Sequence, residues 1–190
     1  MPKLGTAIPR GQVLLDTNVF INALAGRGPP VLRALLDAVP RLFVAAPTRA
    51  ELAWVRGQLD PEHPGTARVL GAYQSVLSRI DPGKVLVPTD ADWLAAGELA
   101  GRAARAVAGG GGKIATAFDR VELISDALTA ILAAGSSFTV VTEDADFDVL
   151  AQLCPGLHVL FYDRIDSLSG ERSDRVRRPG SAPPRTGSRQ

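Results

Sequence analysis

Short apolar runs alternate with longer segments of helical periodicity along most of this chain. Five runs predict β-strands, at residues 13–15, 42–45, 84–87, 138–141 and 157–161. None contains proline or a strict polar alternation, which is typical of strands covered on both faces. The segments between them predict helices at residues 31–39, 48–59, 66–80, 90–107, 114–134 and 144–153. Because strands joined through helices pair in parallel by right-handed crossovers, the sequence predicts an α/β fold, a three-layer α/β/α domain on a five-stranded parallel sheet.

Length and composition bound the class of protein. With 190 residues, 46% of them hydrophobic, the chain fits one folded domain and is not wholly disordered. Its single cysteine, Cys154, excludes an internal disulfide and any site built from several thiolates. Neither a signal-peptide core nor a run of about 20 apolar residues is present, so we expect a soluble, cytoplasmic protein with no membrane contact.

Charge is distributed unevenly along the chain. Residues 171–190 contain six arginines against two acids, a balance of +4, whereas residues 1–170 contain 15 bases and 18 acids, a balance of −3. We expect an N-terminal extension over residues 1–11, a folded domain over 12–168, and a basic tail over 169–190. The tail is rich in proline, glycine and serine, which predicts disorder. The tail either is a solvated terminus or makes a weak, salt-sensitive contact with nucleic acid or an acidic partner.

Four acidic residues are placed so that the predicted fold brings them to one edge of the sheet. Asp16 directly follows the first strand in VLLDTNVFI, Glu51 lies in the first turn of the helix predicted after the second strand, and Asp144 follows the fourth. Asp126 lies on the helix that leads into the fourth strand and runs antiparallel to it. Because ligand sites of open parallel sheets lie outside the carboxyl ends of the strands, we expect these acids to converge.

Each acid also has an ordinary structural interpretation. Thr48 and Glu51 have the spacing of a capping box, and Asp144 fits a helix cap. Asp126 falls on the polar side of its helix, as a solvated surface acid would. Asp16 is the hardest to explain in this way, because an unpaired carboxylate at the end of a buried strand is costly to desolvate.

Converging carboxylates without a basic partner repel one another unless a cation lies between them. An all-oxygen donor set favours Mg²⁺ or Mn²⁺, and Asp146 would add an optional further oxygen. Such ions act on substrate phosphates, so the predicted substrate is a phosphodiester. No Ser–His–Asp or Cys–His arrangement is evident, so acyl transfer has no support.

The same segments, in this order, resemble a known family, the PIN-domain ribonucleases. They are LLDTNVFI, the acid in TRAELAW, SDALTAIL and VVTEDADF. Within that family the chain is most similar to the VapC-type toxins of bacterial toxin–antitoxin pairs, over about residues 12–165. The resemblance implies a PIN-like, Rossmann-like fold.

The resemblance also assigns residues. It places the acids that hold the metal and carry catalysis at four positions: Asp16, Glu51, Asp126 and Asp144. Thr17 and Thr142 would be hydroxyls that brace these carboxylates, and Asn18 falls where the family often has an amide. On physical grounds we expect Asp16 and Asp126 to hold the principal cation, whereas Glu51 and Asp144 would orient the attacking water or complete a second metal site.

In activity, the resemblance implies a Mg²⁺- or Mn²⁺-dependent endoribonuclease. Single-stranded or looped RNA would be cleaved by in-line attack of water, leaving a 5′-phosphate and a 3′-hydroxyl. It further implies a homodimer and an antitoxin protein that blocks the acidic site.

Two features depart from the compact toxins of the family: a longer segment between Glu51 and Asp126, with a glycine-rich loop at residues 109–113, and the basic tail. A PIN nuclease of RNA processing or decay outside any toxin–antitoxin pair remains an alternative function. A module that binds metal without catalysis is another.

Overall fold

A computed structural model describes residues 3–4, 11–38, 42–107 and 117–163, with the backbone alone for 117–119. The strands are β1 (Val13–Leu15), β2 (Val44–Ala45), β3 (Val85–Leu86), β4 (Thr139–Thr142) and β5 (His158–Phe161). The helices are α1 (Thr17–Leu24), α2 (Pro30–Ala38), α3 (Ala46–Gln58), α4 (Thr66–Arg79), α5 (Asp90–Val107), α6 (Ala117–Gly135) and α7 (Asp146–Leu153). Most of the predicted N-terminal extension, the glycine-rich loop at 109–113 and the tail at 169–190 lie outside the described residues.

The five predicted strands are all present and all parallel, but the prediction of a single five-stranded sheet is wrong. One sheet has the order β1-β4-β5, and β2 pairs with β3 in a separate two-stranded sheet. A lone parallel bridge between Leu14 and Phe43 joins the two. The pairing between the two sheets does not extend beyond this bridge, because β2 is only two residues long and α3 begins at Ala46, directly after it.

Helices cover both faces of the strands, which confirms the interpretation of the apolar runs as strands buried on two sides. Leu14 and Val140 face a core formed with α5, α6 and α7. Val13, Leu15 and Val141 face the opposite core, formed with α1 to α4. Full burial of one such side chain stabilises the fold by about 1.5–3 kcal/mol. The two cores account for the three-layer arrangement.

Strand order reverses between β1 and β4. The chain passes from β1 to β2 and β3 on one side, and then returns to place β4 on the other side of β1. Crevices at such a reversal, outside the carboxyl ends of the strands, are where parallel α/β sheets bind ligands. Asp16 follows β1 and Thr142 ends β4, so the two strands on either side of the crevice deliver polar side chains to it.

The start of α3 differs from the prediction and changes the interpretation of Glu51. The helix begins at Ala46 rather than Thr48, because Pro47 occupies its first turn, where the fixed backbone angle of proline is favourable. Thr48 is therefore a buried residue inside the helix, and no side chain caps this helix start. The capping-box interpretation is wrong, and Glu51 lies in the second turn rather than the first.

Of the helices in the described part of the chain, none combines the length and the apolar character that a membrane crossing needs.

Candidate functional site

Asp16 connects the end of β1 to the start of α1. It is the N-cap of α1, in an extended conformation (φ −70°, ψ 157°), and its Oδ1 accepts a hydrogen bond from the backbone N–H of Thr17 at 2.6 Å. The side chain lies deep in the fold, since the residue is only 5% exposed. The positive end of the α1 dipole faces this carboxylate, which explains how a buried apolar strand can end on an acid.

Thr142 links β4 to Asp16 through its side chain. Its Oγ1 donates a hydrogen bond to Oδ2 of Asp16 at 2.6 Å and accepts one from the backbone N–H of Asp144 at 2.9 Å. Asn18 donates a longer hydrogen bond, of 3.4 Å, to the same Oδ2. A single buried hydroxyl therefore fixes the Asp16 carboxylate and the backbone that carries Asp144.

Glu51 is held by two hydroxyl groups from different helices. Thr17 on α1 donates to Oε2 of Glu51, and Ser125 on α6 donates to Oε1. Ser125 is not among the residues predicted from the sequence. The available signal was its position directly before Asp126, where a hydroxyl and a carboxylate leave the same turn of α6.

The tightest acidic cluster consists of Asp126, Asp144 and Asp146. One carboxylate oxygen from each lies within 4.8 Å of the others. Asp126 is half-buried, so its interpretation as a solvated surface acid is wrong. Asp144 accepts a hydrogen bond from the backbone N–H of Asp146 at 2.9 Å, but the N-cap residue of α7 is Ala145, so the interpretation of Asp144 as the helix cap is wrong. Asp146, only an optional ligand in the sequence-based prediction, belongs to this cluster.

The proximity of the acids changes their protonation. Burial raises the pKa of Asp126 well above its usual value, and repulsion from four further carboxylates raises it more: Asp16, Asp144, Glu51 and Asp146. Burial, followed by repulsion from Glu51 and Asp144, raises the pKa of Asp16 to about 7, although the hydrogen bond from Thr142 opposes this. The acids predicted from sequence therefore share one electrostatic environment.

Within the described ranges, no salt bridge joins a basic side chain to any of the four acids predicted from sequence. Carboxylate oxygens alone make up the donor set, and hard divalent cations prefer such ligands. The residues present therefore fit a divalent metal ion, with Asp126, Asp144 and Asp146 best placed to hold it.

These features define a class: a parallel α/β domain with an acidic, metal-compatible cleft at the reversal of strand order. The sequence assigns the family directly, because the PIN domain model matches residues 13–153, from the start of β1 to the end of α7. The chain belongs to the PIN domain family, as the sequence predicts. No curated protein matches it in sequence.

Solved structures share the fold at low identity. VapBC2 from Rickettsia felis, bound to a DNA fragment from its promoter, is 18% identical with a TM-score of 0.52, covering 80% of this chain and 100% of that one. FitAcB from Neisseria gonorrhoeae is 24% identical with a TM-score of 0.53, covering 78% and 96%. DNA-bound VapBC from Salmonella typhimurium is 21% identical with a TM-score of 0.51, covering 78% and 96%. At these identities the likeness establishes the fold.

Proposed function

We propose that this protein is a metal-dependent ribonuclease that hydrolyses RNA phosphodiester bonds and acts as the toxin of a toxin–antitoxin pair. The observation that carries the proposal is the cluster of Asp126, Asp144 and Asp146 beside Asp16, at the strand-order reversal of a PIN domain. A donor set made of carboxylate oxygens suits chemistry in which a divalent ion and a phosphate meet.

The metal ligands we assign are Asp126, Asp144 and Asp146, with Asp16 adjacent, and the ion is Mg²⁺ or Mn²⁺. This differs from the expectation from sequence, in which Asp16 and Asp126 hold the principal cation. The difference follows from burial, since Asp16 is enclosed by its bonds to Thr17 and Thr142. When bound, such an ion stabilises negative charge on a phosphoryl oxygen and lowers the pKa of water.

Glu51 has a separate role in this proposal. Its two oxygens are held by Thr17 and Ser125, but each carboxylate oxygen can accept two hydrogen bonds. One acceptor position per oxygen is thus left to orient a water molecule or receive its proton. These two hydroxyl groups form a clamp on Glu51, which supplies the fixed geometry that general-base catalysis requires.

The N-termini of α1 and α7 both open at this edge of the sheet. Their peptide N–H groups add positive potential, which favours the approach of a phosphate. Thr17, Asn18 and Thr142 support the carboxylates in this proposal and do not touch the substrate.

An antitoxin partner and a homodimer belong to the proposal as well. The likeness of the fold to VapBC2 and VapBC, both solved bound to DNA, supports the antitoxin partner. The homodimer is what the resemblance to the VapC-type toxins implies. A PIN nuclease of RNA processing or decay would share the same acidic site. Growth arrest on expression, relieved by the product of a neighbouring gene, distinguishes the toxin from that alternative.

Cleavage of RNA with and without a chelator tests the proposed activity. Purified protein should cleave single-stranded RNA with Mg²⁺ or Mn²⁺, leave 5′-phosphate ends, and lose activity in EDTA. Restoring excess metal should restore cleavage. Cleavage that persists in EDTA, or its absence with either metal, would contradict the proposal.

Replacing Ser125 tests the clamp on Glu51. Ser125→Ala removes one of two hydroxyl donors, and a hydrogen bond to a charged group contributes about 1.5–3 kcal/mol. We therefore expect kcat to fall by roughly 10- to 100-fold, as that free energy implies, with metal affinity unchanged. Ser136→Ala, at an exposed serine beyond the end of α6, is the matched control and should retain kcat. Loss of metal affinity in Ser125→Ala would refute this division of roles.

A further inference from the structure

We propose that the indole ring of Trp54 stacks on a base of the RNA strand that binds at the acidic site. The inference rests on the proposed ribonuclease function and deepens it, because it names a residue that binds the substrate apart from the carboxylates. Three observations support it: the position of Trp54 beside Glu51, the open surface around its ring, and the charge of the helix that carries it.

Trp54 adjoins the acidic site on the surface of α3. It follows Glu51 by three residues, and residues at this spacing are neighbours on a helix surface, with Cβ atoms about 5–6 Å apart. Glu51 is fixed at the site, because Thr17 of α1 and Ser125 of α6 donate hydrogen bonds to its two carboxylate oxygens. A strand with a phosphate at the acids can therefore place a base against the ring of Trp54.

Trp54 takes no part in the two hydrophobic cores. On the same helix Leu52 is fully buried, and Val55 packs against the core formed with α1 to α4. Trp54 belongs to neither core within the described residues, and it is 57% exposed. Aromatic side chains are major contributors of apolar area to cores and interfaces, so this exposure leaves that area available to a ligand.

The surface around the ring is open. Two neighbours of Trp54 on the helix surface, four residues before it and three after it, are the small residues Ala50 and Gly57, and both are exposed. A methyl group at Gly57 would meet no described side chain within 4 Å, apart from those of its chain neighbours. No aromatic ring or cation of the described chain stacks on Trp54. A base therefore has room to approach the face of the ring.

The charge of α3 favours a polyanion. Its exposed charged side chains are Arg49 and Arg56, whereas its one acid, Glu51, is half-buried at the site. Exposed charges act over about 8 Å at physiological salt, so both arginines attract the phosphates of a strand that crosses this helix. Proteins bind single-stranded nucleic acid without reading its sequence by combining such attraction with aromatic stacking.

Trp93, the other tryptophan of the chain, provides an internal comparison. It is similarly exposed, at 51%, but it lies near the start of α5 with Asp90 and Asp92 in the first turn. These acids repel phosphates, so we expect RNA to leave Trp93 uncovered. Because the sequence has two tryptophans, removing either one leaves the other as the sole indole fluorophore.

Tryptophan fluorescence tests the stack directly in the full chain. Trp93→Phe retains Trp54 as the sole indole, and Trp54→Phe retains Trp93. Both are made in an Asp16→Asn background, which keeps the proposed metal ligands while limiting cleavage, and are titrated with a short single-stranded RNA in Mg²⁺. We expect RNA to quench the fluorescence of Trp54 to saturation and to leave that of Trp93 nearly unchanged. Quenching confined to Trp93, or unquenched Trp54 with RNA that binds by anisotropy, would overturn the proposal.

Steady-state cleavage, with Asp16 intact, measures what the stack contributes to substrate binding. Trp54→Ala should raise KM by about 5- to 150-fold, as the loss of one base stack implies, with kcat nearly unchanged. Trp54→Phe keeps an aromatic ring and should recover most of this loss, and Trp93→Ala is the matched control with the KM of the wild type. Circular dichroism checks that each variant is folded. An unchanged KM in folded, active Trp54→Ala would overturn the proposal.

A protein partner is the alternative occupant of this surface. If Trp54→Ala weakens self-association in light scattering and leaves KM unchanged, Trp54 belongs to an interface between copies of this chain, and the proposal is overturned. A wild type that cleaves no RNA with either metal would refute the ribonuclease function, and the role of Trp54 in substrate binding would fall with it. Failure of the stack alone would leave wild-type cleavage intact, so the two failures are distinguishable.

Discussion

Asp16→Asn is expected to abolish metal-dependent RNA cleavage and, at the same time, to stabilise the metal-free protein above pH 7. Loss of activity follows because the Asp16 carboxylate lies close enough to Asp126 for their charges to interact, and asparagine removes that negative charge from beside the proposed metal ligands. We expect a fall in kcat/KM of at least about 10³-fold, which corresponds to about 4 kcal/mol of transition-state stabilisation. A cleavage assay with Mg²⁺ measures it.

The gain in stability follows from the raised pKa of Asp16. Its pKa is about 7 in the folded protein against a usual value of 3.8, so the folded state binds a proton that the unfolded state has released. Proton binding by folded Asp16 therefore stabilises the protein. This stabilisation is fully present below pH 4 and is lost as the pH rises through 7. Asparagine cannot ionise, so we expect the variant to be about 2 to 4 kcal/mol more stable than the wild type at pH 8 in EDTA.

Urea unfolding at pH 5 and pH 8 measures this difference. Asp37→Asn, at an exposed acid in α2, is the control and should change neither cleavage nor the pH dependence of stability. Retained cleavage in Asp16→Asn would contradict the assigned site. A variant that is less stable than the wild type at pH 8 would contradict the burial of an ionisable charge there.

Asp126→Asn is expected to remove the stabilisation that a divalent ion gives to the wild type. A ligand that binds only the folded state at 100 times its Kd stabilises by about 2.7 kcal/mol, which raises Tm by roughly 5–10 °C in a chain of this size. Asp126 belongs to the acidic cluster and interacts with every other acid of the site. Without its charge, we expect Mn²⁺ to leave Tm nearly unchanged.

Asp148→Asn provides a matched control for this experiment. Asp148 lies two residues after Asp146 in the first turn of α7, but it is not part of the cluster. Thermal unfolding in EDTA and in Mn²⁺ should therefore show the full metal-induced shift in Asp148→Asn. An equal shift in Asp126→Asn would place the ion elsewhere.

The parts of the fold that sequence predicted well are those specified by burial. β1 at residues 13–15 is predicted to the residue, because Val13 and Leu15 face one core and Leu14 the other, leaving an uninterrupted apolar run. The length of the hydrogen-bonded ladder beyond β1 was not predictable in that way. It depends on where α3 begins, which Pro47 sets independently of the apolar pattern.

The site likewise contains residues that the sequence predicts and residues that it does not. Asp16 and Asp144 were predictable, because Asp16 directly follows β1 and Asp144 lies two residues after the end of β4, at strand ends that face the crevice. The contact between Ser125 and Glu51 depends on how α3 lies against α6, and no local pattern encodes that geometry. Membership of Asp146 in the cluster likewise depends on α7 starting at Asp146, two residues later than the predicted helix.

Anomalous diffraction from crystals soaked in Mn²⁺ tests the central claim most directly, because it locates the ion without reference to activity. We predict a manganese peak within coordination distance of Asp126, Asp144 and Asp146 and close to Asp16. Manganese bound only elsewhere, with these carboxylates turned to separate parts of the surface, would contradict the account.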